Sequence, residues 1–138
     1  MADSEGAVMV VVPSDWTTET AIGLSEAGYK SWAENMVQGQ RVLIYKAAPV
    51  DAVIGEGEVP DQIGQRLDDW PATTHQQPLT GLGQPAEYLL PLRILYTRAQ
   101  TNYVPLSEVR KWVNAPDFPQ VEWLPLPKDA YQAMTNWP

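Results

Sequence analysis

The sequence predicts an α+β domain in which five or six short strands curl into a small β-barrel with short flanking helices. Three observations carry that expectation. Residues Gly39 to Val59, GQRVLIYKAAPVDAVIGEGEV, read as two apolar strands, Arg41 to Lys46 and Asp51 to Val59, joined by a short Pro-containing connection. An amphipathic helix precedes them, and Gly39 supplies the turn between helix and strand. The chain also carries 6 Trp and 6 Tyr but only 1 Phe, so nearly every ring has a polar tip suited to half-buried places.

The elements follow in chain order. Ala7 to Pro13 is a β-branched apolar run ended by Pro13, the expected first strand. From Ser25 the pattern turns helical: Tyr29, Trp32, Ala33 and Met36 fall at i, i+3, i+4 and i+7 and form one apolar stripe, with Ser25 or Ser31 as N-cap. After the strand pair, DQIGQRLDDW reads as a short helix, and PATTHQQPLTGLGQP, residues 71–85, as a long exposed loop. Tyr88 to Thr97 reads as a strand in which Pro91 implies an edge or a bulge. Leu106 to Val113 gives one or two helical turns with Ser107 as cap. Gln120 to Leu124 is a short strand, and Pro127 to Met134 a closing helix. At 138 residues the expectation is a single domain over 1–138 with its own core.

Composition narrows the chemistry. Without cysteine there is no disulfide, thiolate metal site or cysteine nucleophile. A net charge of −8 argues against broad capture of nucleic acid through its phosphates. The charge is uneven, however. Arg93, Arg98, Arg110 and Lys111 face only Glu108 between Leu89 and Asn114, whereas Asp51, Glu56, Glu58, Asp61, Asp68 and Asp69 face only Arg66. One basic and one acidic flank allow local contact with a nucleic acid. The first residues are acidic and small, the run from Val8 to Val12 is too short for a signal sequence, and nothing nears the about 20 apolar residues that span a bilayer. The expectation is a soluble cytoplasmic protein with no membrane partner.

Catalysis finds no support in the motifs. His75 is the only histidine and lies in a loop without a partner in view. Glu56 and Glu58 alternate with Gly55 and Gly57, so the two carboxylates share one strand face. Such a pair serves acid–base work or a metal, or simply forms a charged outer face. The glycines mark a bulge or a close backbone approach. Gly-x-Ser-x-Gly, a Cys–His pair, His-Glu-x-x-His and a phosphate loop are all missing. A non-enzymatic protein with no cofactor and no metal is expected.

AIGLSEAGYKSWAENMVQGQRVLIYK followed by VIGEGEV resembles the helix, Gly-turn, strand and Gly-containing return strand of the EVE domain family, a PUA-like fold related to YTH and ASCH domains. Gly23, Trp32, Met36 and Gly39 fall on the family's glycine, core aromatic, Met or Leu, and turn glycine. Pro13-Ser14-Asp15 falls on its Ser-Glu-Pro, and Leu89 to Tyr103 then Pro105-Leu106-Ser107 on its long strand and short helix. The family's pocket Trp falls near Ala21, its Arg-Asn pair on Ser25 and Glu26, and its strand-end His on Lys46.

The resemblance implies a binding module for a modified base flipped out of nucleic acid into an aromatic pocket at the barrel mouth, recognised by stacking and edge hydrogen bonds. By position, Trp16 supplies a ring from the loop after the first strand, and Trp70 one from the long loop. Ser14, Asp15 and Tyr45 supply edge contacts, and Lys46 pairs with a phosphate or with Asp15. The expected partner is a modified base, a nucleotide or a single strand of nucleic acid. The alternative is a protein-interaction or regulatory module that keeps the PUA-like fold without the base pocket, and a third reading is an enzyme using Glu56 and Glu58 with a metal.

Overall fold

The first strand, β1 (Ala7–Val12, AVMVVV), is buried along its whole length, which puts it inside a sheet with both faces covered. The computed structural model describes residues 7–17, 22–60, 65–66, 79–90, 92–113 and 115–137. β1 lies between two partners: β3 (Arg41–Lys46), parallel, with Val8 opposite Val42 and Val12 opposite Lys46, and β9 (Trp123–Leu126), antiparallel. Parallel neighbours need a crossover. It is made by β2 (Ile22–Leu24) and helix α1 (Glu26–Asn35).

β4 (Ala52–Glu58) returns antiparallel to β3, and the large mixed sheet continues with β7 (Arg93–Thr97) and β8 (Val104–Pro105) side by side along β4. Its order is β7-β4-β3-β1-β9, with β8 beside β4. β5 (Gln65–Arg66) and β6 (Tyr88–Leu90) join β2 in a separate three-stranded sheet, order β2-β6-β5. Helices α2 (Leu106–Trp112) and α3 (Lys128–Thr135) complete the chain.

Alternation along β1 divides the interior in two. Ala7, Met9 and Val11 join Leu43, Tyr45, Val53, Val109, Phe118, Ala130 and Met134, the core beneath α2 and α3. Val8, Val10 and Val12 join Trp16, Ile22, Leu24, Trp32, Met36, Ile44 and Leu90, the core beneath α1 and the small sheet. Gly55 and Gly57 permit a close approach: a Cβ on Gly55 would lie 2.5 Å from the Tyr96 carbonyl oxygen, and one on Gly57 2.9 Å from that of Arg93. The β4 ladder shifts register between Ile44 and Tyr45 and again between Glu56 and Gly57.

Several expectations need correction. The strand expected over Tyr88 to Thr97 is two strands in two different sheets, one ending at Leu90 and the other beginning at Arg93. The strands of the described residues therefore form two sheets rather than one closed barrel. Within the helix expected over 61–70, Gln65–Arg66 is a strand paired with β6; its other residues, Trp70 among them, lie outside the described residues. Ser107 is not a cap, since Pro105 takes that position, and Pro127 is the N-cap of α3 rather than its first residue. Of the loop expected over 71–85, residues 71–78 with His75 lie outside the described part. Residues 79–85 form an ordered turn, in which the buried Thr80 hydroxyl accepts the N–H groups of Leu82 at 3.2 Å and Gln84 at 3.3 Å.

The closing helix is tied down by one side chain. Arg98 donates to the carbonyls of Met134 (2.8 Å), Trp137 (2.9 Å), Thr135 (3.2 Å) and Asn102 (3.3 Å), satisfying the free carbonyls of the α3 C-terminus. Among the described residues no helix is long and apolar enough to cross a membrane.

Candidate functional site

Because β1 and β3 run parallel, both chains leave the sheet at one edge, where the Ala47 N–H donates to the Val12 carbonyl at 2.9 Å. A tight turn follows β1, closed by the Trp16 N–H donating to the Pro13 carbonyl at 3.0 Å. Its two central residues, Ser14 and Asp15, point into solvent, and the Trp16 ring turns inward. Lys46, half-buried, stands opposite Val12 and so on the same sheet face as the Trp16 core. Ser14, Asp15 and Trp16 thus follow the same end of the sheet at which Lys46 stands.

Tyr45 does not join them. Its ring lies on the opposite face, fully buried against Phe118 (centroids 4.8 Å apart, edge-on), with its hydroxyl donating to Asp51 at 3.0 Å. Burial first, then the Asp51 carboxylate, holds the Tyr45 phenol far above its usual range. Trp70 lies outside the described residues.

Trp16 is only 3% exposed and Trp32 0%, and the indole N–H of each has no acceptor within the protein. Trp32 packs edge-on against Trp123 at 5.5 Å. The Trp16 ring therefore presents no open face; it is enclosed by residues of the second core. Ser25, at the start of α1, is engaged within the fold. Ser25 caps α1 by accepting the Gly28 N–H at 3.1 Å, while its own N–H and hydroxyl donate to Glu122 at 2.7 and 2.5 Å. Sequence reasoning gave no sign of Glu122, which lies 97 residues away along the chain.

The paired glutamates diverge. Glu58 forms an ion pair with Arg93 at 3.3 Å at the edge of the sheet. Glu56 is 2% exposed, takes hydrogen bonds from the Tyr131 and Tyr96 hydroxyls, and has Arg41 at 3.5 Å. Its acceptor sites are occupied by internal donors, which suits anchoring of α3 and leaves little for a substrate.

Burial, then Glu56, pushes the Tyr96 phenol up to about 12, and the same causes hold Tyr131 above the usual range. A raised phenol pKa means the unfolded chain releases its proton first. The stabilisation is therefore complete below about pH 10 and is lost as pH rises towards about 12. Thermal melts are expected to hold steady to about pH 10 and then fall, with a shallower fall in Tyr96→Phe. A melting midpoint independent of pH over that window would contradict the Glu56 cluster.

No protein-family model matches the chain, and no curated protein sequence does. Solved structures do. Human THYN1, in a crystal structure with DNA containing 5-methylcytosine, superposes with TM-score 0.64 at 10% identity over 93% of this chain and 94% of that one. The DUF55 domain of human thymocyte nuclear protein 1 gives 0.58 at 10% identity, covering 92% and 95%. A tyrosine-to-phenylalanine variant of the ZmASCH protein from Zymomonas mobilis gives 0.55 at 15% identity, covering 92% and 96%. At these identities the likeness concerns the fold alone.

Proposed function

We propose that this chain is an EVE-type, non-enzymatic nucleic-acid-binding module that takes a modified base at the carboxyl edge of the β1–β3 pair. The observation that supports it most is the pairing of Lys46 with Val12, which puts Lys46 on the sheet face whose core holds Trp16. The fold is shared over nearly its whole length with a protein crystallised on 5-methylcytosine DNA, an argument by analogy of fold. Trp16 supplies the ring on which the base stacks once that ring swings out of the second core. Ser14 and Asp15 read its edge, and the Lys46 ammonium takes an adjacent phosphate. Such a pocket needs few phosphate contacts, which suits a chain of net charge −8.

The test is tryptophan fluorescence titrated with short single-stranded DNA and RNA, with and without modified cytosine or adenine. Saturable quenching that depends on one modification supports the pocket. Lys46→Ala is expected to weaken binding to all sequences alike and to reduce the slope of log K against log salt by about 0.7–1. An unchanged slope removes Lys46 from the interface.

A second reading, a protein-interaction module without a base pocket, is favoured by the closed Trp16 ring and by Trp112, 41% exposed on α2. Flat fluorescence traces together with a stable oligomer in light scattering would move the conclusion there.

A further inference from the structure

Four large apolar side chains stand out into solvent among the described residues, and two of them, Leu79 and Leu82, belong to the single turn 79–85. That turn is stiff. Thr80 is buried and gathers the Leu82 and Gln84 N–H groups, Leu79 bridges to Pro85, and Thr80 bridges to Gly23 of β2. It is also seated firmly on β1. A Cβ on Gly81 would collide with the Val11 carbonyl oxygen, so only glycine lets the turn lie this close. Val11 is one residue from the end of β1, which places the turn beside the edge from which Ser14, Asp15 and Trp16 emerge.

Leu82 is the tip of this turn, 40% exposed and flanked by Gly81 and by Gly83 at φ +80°. Charge marks the segment as well. No Asp, Glu, Lys or Arg occurs from Pro71 to Ala86, in a chain of net charge −8. A phosphate backbone can approach this turn without repulsion from the turn's own residues.

We propose that Leu82 is a wedge that enters a nucleic-acid duplex beside the base taken by the pocket. The inference rests on the base-binding reading and extends it from single strands to duplexes. Turning a base out of a duplex sacrifices stacking, and an apolar side chain inserted at the vacated step restores part of it. A floppy loop would lose that gain to ordering entropy, whereas a turn already braced by Thr80 and Gly81 does not.

The experiment compares the unaltered protein, Leu82→Ala and Leu82→Met on a single strand and on a duplex. Both carry one 5-methylcytosine with 2-aminopurine as its neighbour. Leu82→Ala is expected to melt like the parent, to keep single-strand affinity within about twofold, and to lose about tenfold or more on the duplex along with the 2-aminopurine brightening. Leu82→Met should restore both. Equal duplex affinity and brightening in Leu82→Ala would overturn the wedge and leave the pocket standing. Failure of the unaltered protein to bind either oligomer would overturn the base-binding reading, and the wedge with it.

Discussion

Trp16→Ala is expected to lose about 3–5 kcal/mol of stability in denaturant titration, with little change in slope. The ring is 3% exposed and packs among residues of the second core such as Val12, Ile22, Leu24 and Ile44. Truncation leaves a cavity that a β1 buried on both faces cannot readily collapse to fill. Trp16→Phe should cost much less, about 1–2 kcal/mol, because it keeps an aromatic body and removes an indole N–H that has no partner. The pair separates the two roles of the ring. If the base stacks on Trp16, Phe retains most of the affinity, and Ala loses about 1–3 kcal/mol of binding even after correction for the unfolded fraction. Wild-type affinity in folded Trp16→Ala protein would confine the ring to the core.

Glu56→Ala is expected to destabilise by about 2–3 kcal/mol, the second largest effect. The Tyr131 hydroxyl would lose its acceptor in a part-buried place, and the Tyr96 hydroxyl its bond to the same carboxylate, while Arg41, half in water, loses little. Glu56→Gln keeps an acceptor and should recover about half of the loss. Since Tyr131 lies on α3, the double variant Glu56→Ala with Tyr131→Phe should cost clearly less than the sum of the two single changes. Strict additivity in that cycle would show that the two side chains do not act together.

Much of the fold was legible in the sequence. The β-branched run of β1, the i, i+3, i+4, i+7 stripe of α1, and Gly39 with φ +86° before β3 are local signals, and each element stands close to where its signal lies. The short pieces β2 and β8 were not legible. At three and two residues they have no period of their own and exist only because β6 and β4 offer them partners. The break between Leu90 and Arg93 was half legible: a proline in the sequence announces an interruption, but not that the chain then enters another sheet.

For the proposed site residues, the sequence showed their positions at strand ends and not their arrangement. Parallel pairing of β1 with β3 brings Ser14, Asp15, Trp16 and Lys46 to one edge, as their positions at strand ends suggest. The local chain was enough for β1, α1, β3 and β4 and for which residue types stand at that edge, because period and turn chemistry act over a few neighbours. Only the tertiary structure decided that Tyr45 faces away from Trp16, that Glu56 is buried on Tyr131 while Glu58 meets Arg93, and that Glu122 closes over Ser25. Which face a strand residue occupies depends on register. Here register is set by bulges and by partners distant in the chain, so no local window contains it.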